Sequence, residues 1–123
     1  FARLVSYWNS THRAQPFKEY VKQKDRIFKD GVPTFLHHQT QSSLVETPDG
    51  TKSNLNFIGK VENINDDWYK LCSIINIPPT PLVHHRSGSQ PYEYYTSFYD
   101  EETIAIVTEM YKRDLEVFDY KFK

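Results

Sequence analysis

The C-terminal segment, residues 100–118, contains the clearest helical pattern in the sequence and limits the class of fold that the chain can adopt. Side chains spaced three and four residues apart share one face of an α-helix. The segment therefore predicts an amphipathic helix that Asp100 caps at its N-terminus and whose apolar face another element must cover. The apolar series recurs at intervals of 3, 4, 4 and 3 residues: Ile104, Val107, Tyr111, Leu115 and Phe118.

Three other segments have the same period. Residues 1–10 predict a helix, and residues 16–31 predict a second that starts at Pro16 and stops near Gly31. A third follows Asn63 or Asn65 and ends before the prolines of 78–82. The aromatic fraction of 15% is high, so aromatic rings should form much of the core. The residues predicted to point inward in the first and third of these helices are Leu4, Tyr7, Trp8, Trp68, Leu71, Cys72 and Ile75.

One segment departs from the helical pattern. Phe57, Ile58 and Val61 surround Gly59 and predict a short buried strand. A lone strand cannot satisfy its own backbone hydrogen bonds. We therefore expect its partner strands upstream of Phe1 or in a second copy of the chain.

Composition excludes several classes of protein. The chain has 15 basic and 16 acidic side chains and a net charge of −1, so no overall field would attract nucleic acid or an anionic membrane. No apolar run approaches the ~20 residues of a membrane span. A single cysteine, Cys72, excludes an intrachain disulfide framework. The chain has 123 residues, which is enough for one domain.

Metal binding is not predicted. The two histidine pairs, His37-His38 and His84-His85, are adjacent in sequence, so their side chains point apart, and no C-x-x-C or H-x-x-x-H spacing accompanies them.

Several groups of residues occur in an order that is typical of one enzyme superfamily. The chain resembles the C-terminal part of the Golgi-type carbohydrate sulfotransferases and their bacterial relatives, which transfer sulfate from the nucleotide PAPS to a sugar hydroxyl. The matches to the motifs of this superfamily are Arg3, Ser6 and either Tyr7 or Trp8; His37 and Gln41; Ile58, Gly59, Glu62, Asp67 and Trp68; and Tyr99, Asp100, Glu101, Tyr111, Asp114, Phe118 and Tyr120.

This resemblance implies an α/β, P-loop-like fold, of which the C-terminal part present here is mostly α-helical with one or two short strands. Residues 1–123 are then a single domain or the C-terminal portion of a larger sulfotransferase domain. The implied compartment is the Golgi lumen for an animal protein and the cytoplasm for a bacterial or viral one. The implied partner is a carbohydrate acceptor, and the unpaired strand would favour a homo-oligomer.

The resemblance also implies a donor site. In the superfamily an Arg and a Ser hold the 3′-phosphate of PAPS or its product PAP. Ser6 matches that Ser, and Arg3 matches a second Arg that contacts the phosphate or braces the loop. The first Arg of the motif would lie before Phe1. His85, Arg86 and Ser87 offer several donors around a glycine, which suits a nucleotide-binding loop or a solvated one.

Three further residues are assigned to a cleft. His37 and Gln41 match a motif that lines the nucleotide or acceptor cleft or orders it. Glu62 follows the predicted strand and either faces the cleft or pairs with a nearby cation. The phosphosulfate loop of the superfamily has no counterpart here, so the catalytic residues stay unassigned and we expect this chain to be inactive alone. A non-catalytic, mostly helical module for binding or self-association is the alternative.

Overall fold

The computed structural model of the chain describes residues 1–31, 39–47, 49, 55–83 and 92–122. Within these ranges the regular structure is helical. Two 3-10 helices, Val61–Asn63 and Tyr92–Phe98, accompany the α-helices. The α-helices are α1 (Ala2–Thr11), α2 (Phe17–Lys29), α3 (Ser42–Val45), α4 (Ile64–Ile74), α5 (Glu101–Met110) and α6 (Lys112–Phe118).

The helices predicted at 1–10 and 16–31 are present as α1 and α2. Gly31 lies just beyond α2 with a positive φ of 64°, a conformation that glycine adopts without strain. None of the helices in the described ranges is long and apolar enough to cross a membrane.

The N-cap predicted at Asp100 is present and forms a reciprocal pair of hydrogen bonds. The Thr103 N–H donates to Asp100 Oδ1 at 2.8 Å, and the Asp100 N–H donates to Thr103 Oγ1 at 2.9 Å. The helix that follows is not continuous, however. It is interrupted at Tyr111, whose φ of −113° and ψ of 24° separate α5 from α6. The apolar stripe continues across this break because the Leu115 N–H still donates to the Tyr111 carbonyl.

The core lies between α1, α2, α5 and the 3-10 helix Tyr92–Phe98, and it is rich in aromatic residues. The Trp8 ring packs edge-on against Phe17 and Phe98, with ring centres 5.3 Å away in both cases. Its indole N–H donates to the Gln15 carbonyl at 2.7 Å, which ties α1 to the loop before α2. Tyr20 has no exposed surface. These rings supply the apolar burial that a chain of this size needs.

An exposed charge network ties α2 to α5 at the edge of this core. Lys18 Nζ lies 2.7 Å from Asp100 Oδ2 and 2.6 Å from Glu102 Oε2. The hydrogen bond from Lys18 lowers the pKa of Asp100, and the Thr103 N–H lowers it further. The pKa of Glu102 is lowered chiefly by Lys18 and then by Lys22.

Acid should weaken this network. Because the folded-state pKa values of Asp100 and Glu102 lie below their unfolded values, their contribution to stability is complete above about pH 4–5 and is lost as the pH falls further. We expect the Lys18→Met variant to lose less stability than the wild type between pH 7 and pH 3. Urea midpoints at the two pH values test this, with Lys112→Met as the control. Equal losses in all three proteins would contradict the assignment.

The prediction of a short buried strand at Phe57–Val61 is wrong. This segment has no strand structure; Ile58 is 50% exposed and Val61 is 81% exposed. No partner strand is present in the part of the chain that the structure describes. The Lys60 N–H instead donates to the side chain of Asp67 at 2.8 Å. A carboxylate from α4 thus supplies the acceptor that a neighbouring strand would have supplied.

Residues 55–83 form an arm with much exposed apolar surface. Among the described elements, α4 packs mainly on the 3-10 helix that precedes it. Cys72 on its inner face is buried, whereas Ile75, which was predicted to be buried, is 52% exposed. The Trp68 indole N–H donates to the Thr80 carbonyl at 2.7 Å, which holds the proline-rich end of the arm against α4.

Candidate functional site

Arg3 and Ser6 lie on the solvent side of α1. The helix buries Leu4, Val5 and Trp8, and these positions leave Arg3 and Ser6 on the opposite side, where both are exposed. Residues three apart on a helix are neighbours on its surface. The fold therefore presents the two residues that were predicted to contact the phosphate side by side to solvent.

The guanidinium of Arg3 is held by two groups. Its Nη2 donates to the Gln39 carbonyl at 2.9 Å, and its Cζ lies 5.8 Å from the centre of the Tyr111 ring. Among the described side chains no carboxylate forms an ion pair with it. Arg3 also donates a hydrogen bond to the Tyr111 side chain, and these two bonds use two of the five N–H groups of a guanidinium. An oriented cation with free donors is suited to binding an anion.

The Gln41 segment is anchored next to Arg3. The Gln41 N–H donates to Asp114 Oδ2, and the Ser42 N–H donates to Asp114 Oδ1, both at 2.8 Å. The two bonds fix the start of α3 on α6, while the side chain of Gln41 stays exposed. The structure thus brings together Arg3 and the Gln41 segment, which are far apart in the sequence. We call the group formed by Arg3, Gln39, Gln41, Tyr111 and Asp114 the Arg3 cluster.

Tyr111 is a buried residue of the Arg3 cluster, and its ring lies beside the guanidinium. Its side chain is 8% exposed, and burial raises the pKa of its phenol, an effect that the adjacent Arg3 partly offsets. The phenol therefore stays neutral at physiological pH, and its ring face can support the guanidinium by a cation–π contact.

Glu62 is not part of the Arg3 cluster. It belongs to the 3-10 helix Val61–Asn63 and accepts a hydrogen bond from the Tyr120 hydroxyl at 3.1 Å. Lys60 Nζ donates to the Phe118 carbonyl at 2.9 Å, so this contact is made at the C-terminal end of α6. Arg3 contacts Tyr111 at the other end. In the described ranges no hydrogen bond or ion pair joins Glu62 to Arg3 or Gln41.

Four of the predicted site residues, His37, His85, Arg86 and Ser87, lie outside the described residues. No group of three or more potential metal ligands occurs in the ranges that the structure describes.

A groove in the described part of the chain is separate from the Arg3 cluster. It has a volume of about 420 Å³ and lies between α4 and the segment that precedes it. Its lining is mainly apolar and includes Phe57, Trp68, Leu71 and Leu82. Of the predicted site residues, the four in the described ranges, Arg3, Ser6, Gln41 and Glu62, do not line it.

Sequence reasoning assigned no role in the site to Asp114. A signal was present, because Asp114 lies three residues after Tyr111 on the stripe that Leu115 and Phe118 continue. A carboxylate next to an apolar stripe is costly to bury unless it is hydrogen-bonded. Asp114 is 8% exposed and meets this requirement with two backbone donors, 72 and 73 residues away.

Comparison with known proteins identifies the family. The model of the "Sulfotransferase family" matches residues 1–121, which contain every residue of the Arg3 cluster. Neither a search of the curated proteins nor a search of the solved structures gave a match. The match to the family model confirms the resemblance inferred from the ordered motifs. Because it covers almost the whole chain, the protein belongs to the sulfotransferase family.

Proposed function

We propose that this chain is part of an enzyme that transfers sulfate from PAPS to a hydroxyl of a carbohydrate acceptor, and that it provides the second half of the 3′-phosphate site. The observation on which the proposal rests is the exposed Arg3 guanidinium, which is oriented by Gln39 and Tyr111 and has no carboxylate partner among the described residues. Ser6 lies one helical turn away with its side chain in solvent.

The chemistry of these two residues suits a phosphate. The guanidinium of Arg3 provides charge and several N–H donors, and the hydroxyl of Ser6 provides a further donor. The resemblance to the superfamily left two roles open for Arg3, contact with the phosphate and bracing of a loop. The hydrogen bond to Gln39 supports a bracing role, and the donors that remain free leave phosphate contact available to the same side chain.

The reaction would proceed by attack of the acceptor oxygen on sulfur. A bond forms between this oxygen and sulfur as the bond from sulfur to the phosphate oxygen breaks, PAP leaves with the electron pair, and the hydroxyl proton passes to a base that we do not assign to this chain. The residues of this chain would bind and orient the donor, which lowers the barrier by positioning. His85, Arg86 and Ser87 are proposed as further donors to the nucleotide.

The acceptor side is proposed for His37, Gln41 and Glu62. The exposed amide of Gln41 can donate to and accept from sugar hydroxyls, and the exposed carboxylate of Glu62 can accept from them. Glu62 contacts the opposite end of α6 from the Arg3 cluster, so it would contact a part of the acceptor distant from the 3′-phosphate.

Calorimetric titration with PAP tests the proposal. Since a hydrogen bond to a charged group contributes ~1.5–3 kcal/mol, we expect Ser6→Ala and Arg3→Ala each to weaken PAP binding by about tenfold or more. Ser73→Ala removes an exposed hydroxyl from α4 and should leave the affinity unchanged.

A second ligand identifies the phosphate that is bound. AMP lacks the 3′-phosphate, so we expect the wild type to prefer PAP to AMP and the Arg3→Ala, Ser6→Ala double variant to lose that preference. A preference that persists in the double variant would contradict the assignment of these residues to the 3′-phosphate.

The alternative, a non-catalytic module that binds a partner or its own copy, is favoured by one observation. Ile64, Ile75, Leu82 and Val83 in the arm of residues 55–83 expose between 37% and 73% of their surface, which is typical of an interaction surface. A well-folded sample that does not bind millimolar PAP but dimerises in sedimentation would support this alternative.

A further inference from the structure

Asp114 is a buried carboxylate that forms no salt bridge with a side chain of the described residues. Its side chain makes two hydrogen bonds, both from backbone N–H groups, one at Gln41 and one at Ser42. Hydrogen bonds from N–H groups to a carboxylate are stronger than those between neutral groups. The segment that begins α3 is therefore held by a charged group of α6.

The residues that contact Arg3 lie close in sequence to Asp114 and to its partner Gln41. Gln39, whose carbonyl accepts the hydrogen bond from Arg3, lies two residues before Gln41. Tyr111, whose ring lies next to the guanidinium, lies three residues before Asp114. The start of α6 thus supports Arg3 in two ways, directly through the Tyr111 ring and indirectly through the Gln39–Ser42 segment.

We propose that Asp114 is a positioning residue for the donor site, which fixes the direction of the Arg3 guanidinium by fixing the Gln39 carbonyl. This proposal rests on the proposed function only in the identity of the ligand. An arginine side chain loses considerable rotational freedom when it binds an anion. A guanidinium that is already oriented loses less, so it binds the same phosphate more tightly.

A double-mutant cycle on PAP affinity tests the coupling. Asp114→Asn preserves size but replaces one acceptor oxygen by an NH₂ group. We expect it to weaken PAP binding about fivefold or more when Arg3 is present, and less than about twofold in the Arg3→Ala background. Equal losses in both backgrounds would overturn the proposal, because Asp114 would then act independently of Arg3.

A control separates positioning from general stability. Thr103→Ala removes a buried hydroxyl that accepts a hydrogen bond from the Asp100 N–H at the start of α5. Thr103 is not a member of the Arg3 cluster. The substitution should lower the melting temperature and leave PAP affinity unchanged. If PAP affinity instead falls in step with the melting temperature in both variants, Asp114 has only a structural role.

A measurement without nucleotide distinguishes failure of this proposal from failure of the proposed function. The Nε–Hε signal of Arg3 in the NMR spectrum should be sharp and dispersed in the wild type and averaged in Asp114→Asn. An unchanged Arg3 signal would overturn the positioning role even if PAP binds. Absence of PAP binding by the wild type would overturn the proposed function, and the Arg3 signal would still decide the role of Asp114.

A second pair of variants applies if Asp114→Asn does not fold. Gln41 has a φ of −71°, which proline accepts, so Gln41→Pro deletes the N–H that donates to Asp114 while Gln41→Ala retains it. We expect averaging of the Arg3 signal in Gln41→Pro alone. The same Arg3 signal in both variants would overturn the proposal.

Discussion

Replacing Val107 by Asp is expected to unfold the chain. Val107 is 1% exposed on α5, and α5 makes its closest packing with α2. A carboxylate at this position would be buried, and an uncompensated buried charge costs several kcal/mol. Small domains are stable by only about 5–15 kcal/mol, so the loss should abolish cooperative unfolding in urea.

The matched control is the same substitution at Ala105. This residue is exposed on the same helix, so Ala105→Asp adds the same charge to α5 without burying it. We expect its urea midpoint to stay close to that of the wild type. Similar unfolding curves for the two variants would show that α5 does not pack on α2 in the described manner.

Truncating Trp8 to Ala should destabilise the fold by about 3–5 kcal/mol, the range found for large aromatic residues in protein cores. Trp8 is 7% exposed and lies between Phe17 and Phe98. Its loss removes two edge-on ring contacts and leaves the Gln15 carbonyl without its indole donor. The free energy of unfolding from urea titration measures the effect.

Trp8→Phe separates the loss of ring packing from the loss of the hydrogen bond to the Gln15 carbonyl. The smaller ring preserves part of the packing but cannot donate to Gln15, so we expect a loss smaller than that of Trp8→Ala. The truncation of an exposed ring, Tyr69→Ala, serves as the reference, because Tyr69 is 51% exposed and its removal should change stability little. A loss for Trp8→Ala as small as that of Tyr69→Ala would contradict the position of Trp8 in the core.

The order of the motifs predicted the family correctly, and local patterns predicted α1, α2, α4 and α5 but not α3 or the two 3-10 helices. Asp100 was assigned as an N-cap from the residues around it, and the structure confirms the cap. The break at Tyr111 was missed because the apolar period continues through it. A change in the backbone angles of one residue leaves no trace in a pattern of side-chain spacing.

The strand prediction failed for a physical reason. Phe57, Ile58 and Val61 have the composition of a buried strand, but a strand also requires a partner for its backbone. In the described ranges the acceptor for the Lys60 N–H is the Asp67 carboxylate. The sequence supplies the residues on both sides of this contact but does not show which acceptor the backbone will use.

The sequence by itself determined the helical character of this chain, the ends of α1 and α2, and the residues that match the sulfotransferase family. These features depend on side chains within one or two helical turns of each other, so the sequence displays them directly. Only the tertiary structure decided that Arg3 meets a carbonyl 36 residues away and that Asp114 meets amides 72 and 73 residues away. Such contacts depend on how the helices pack, because a buried polar group takes whichever partner the packing brings within hydrogen-bond distance.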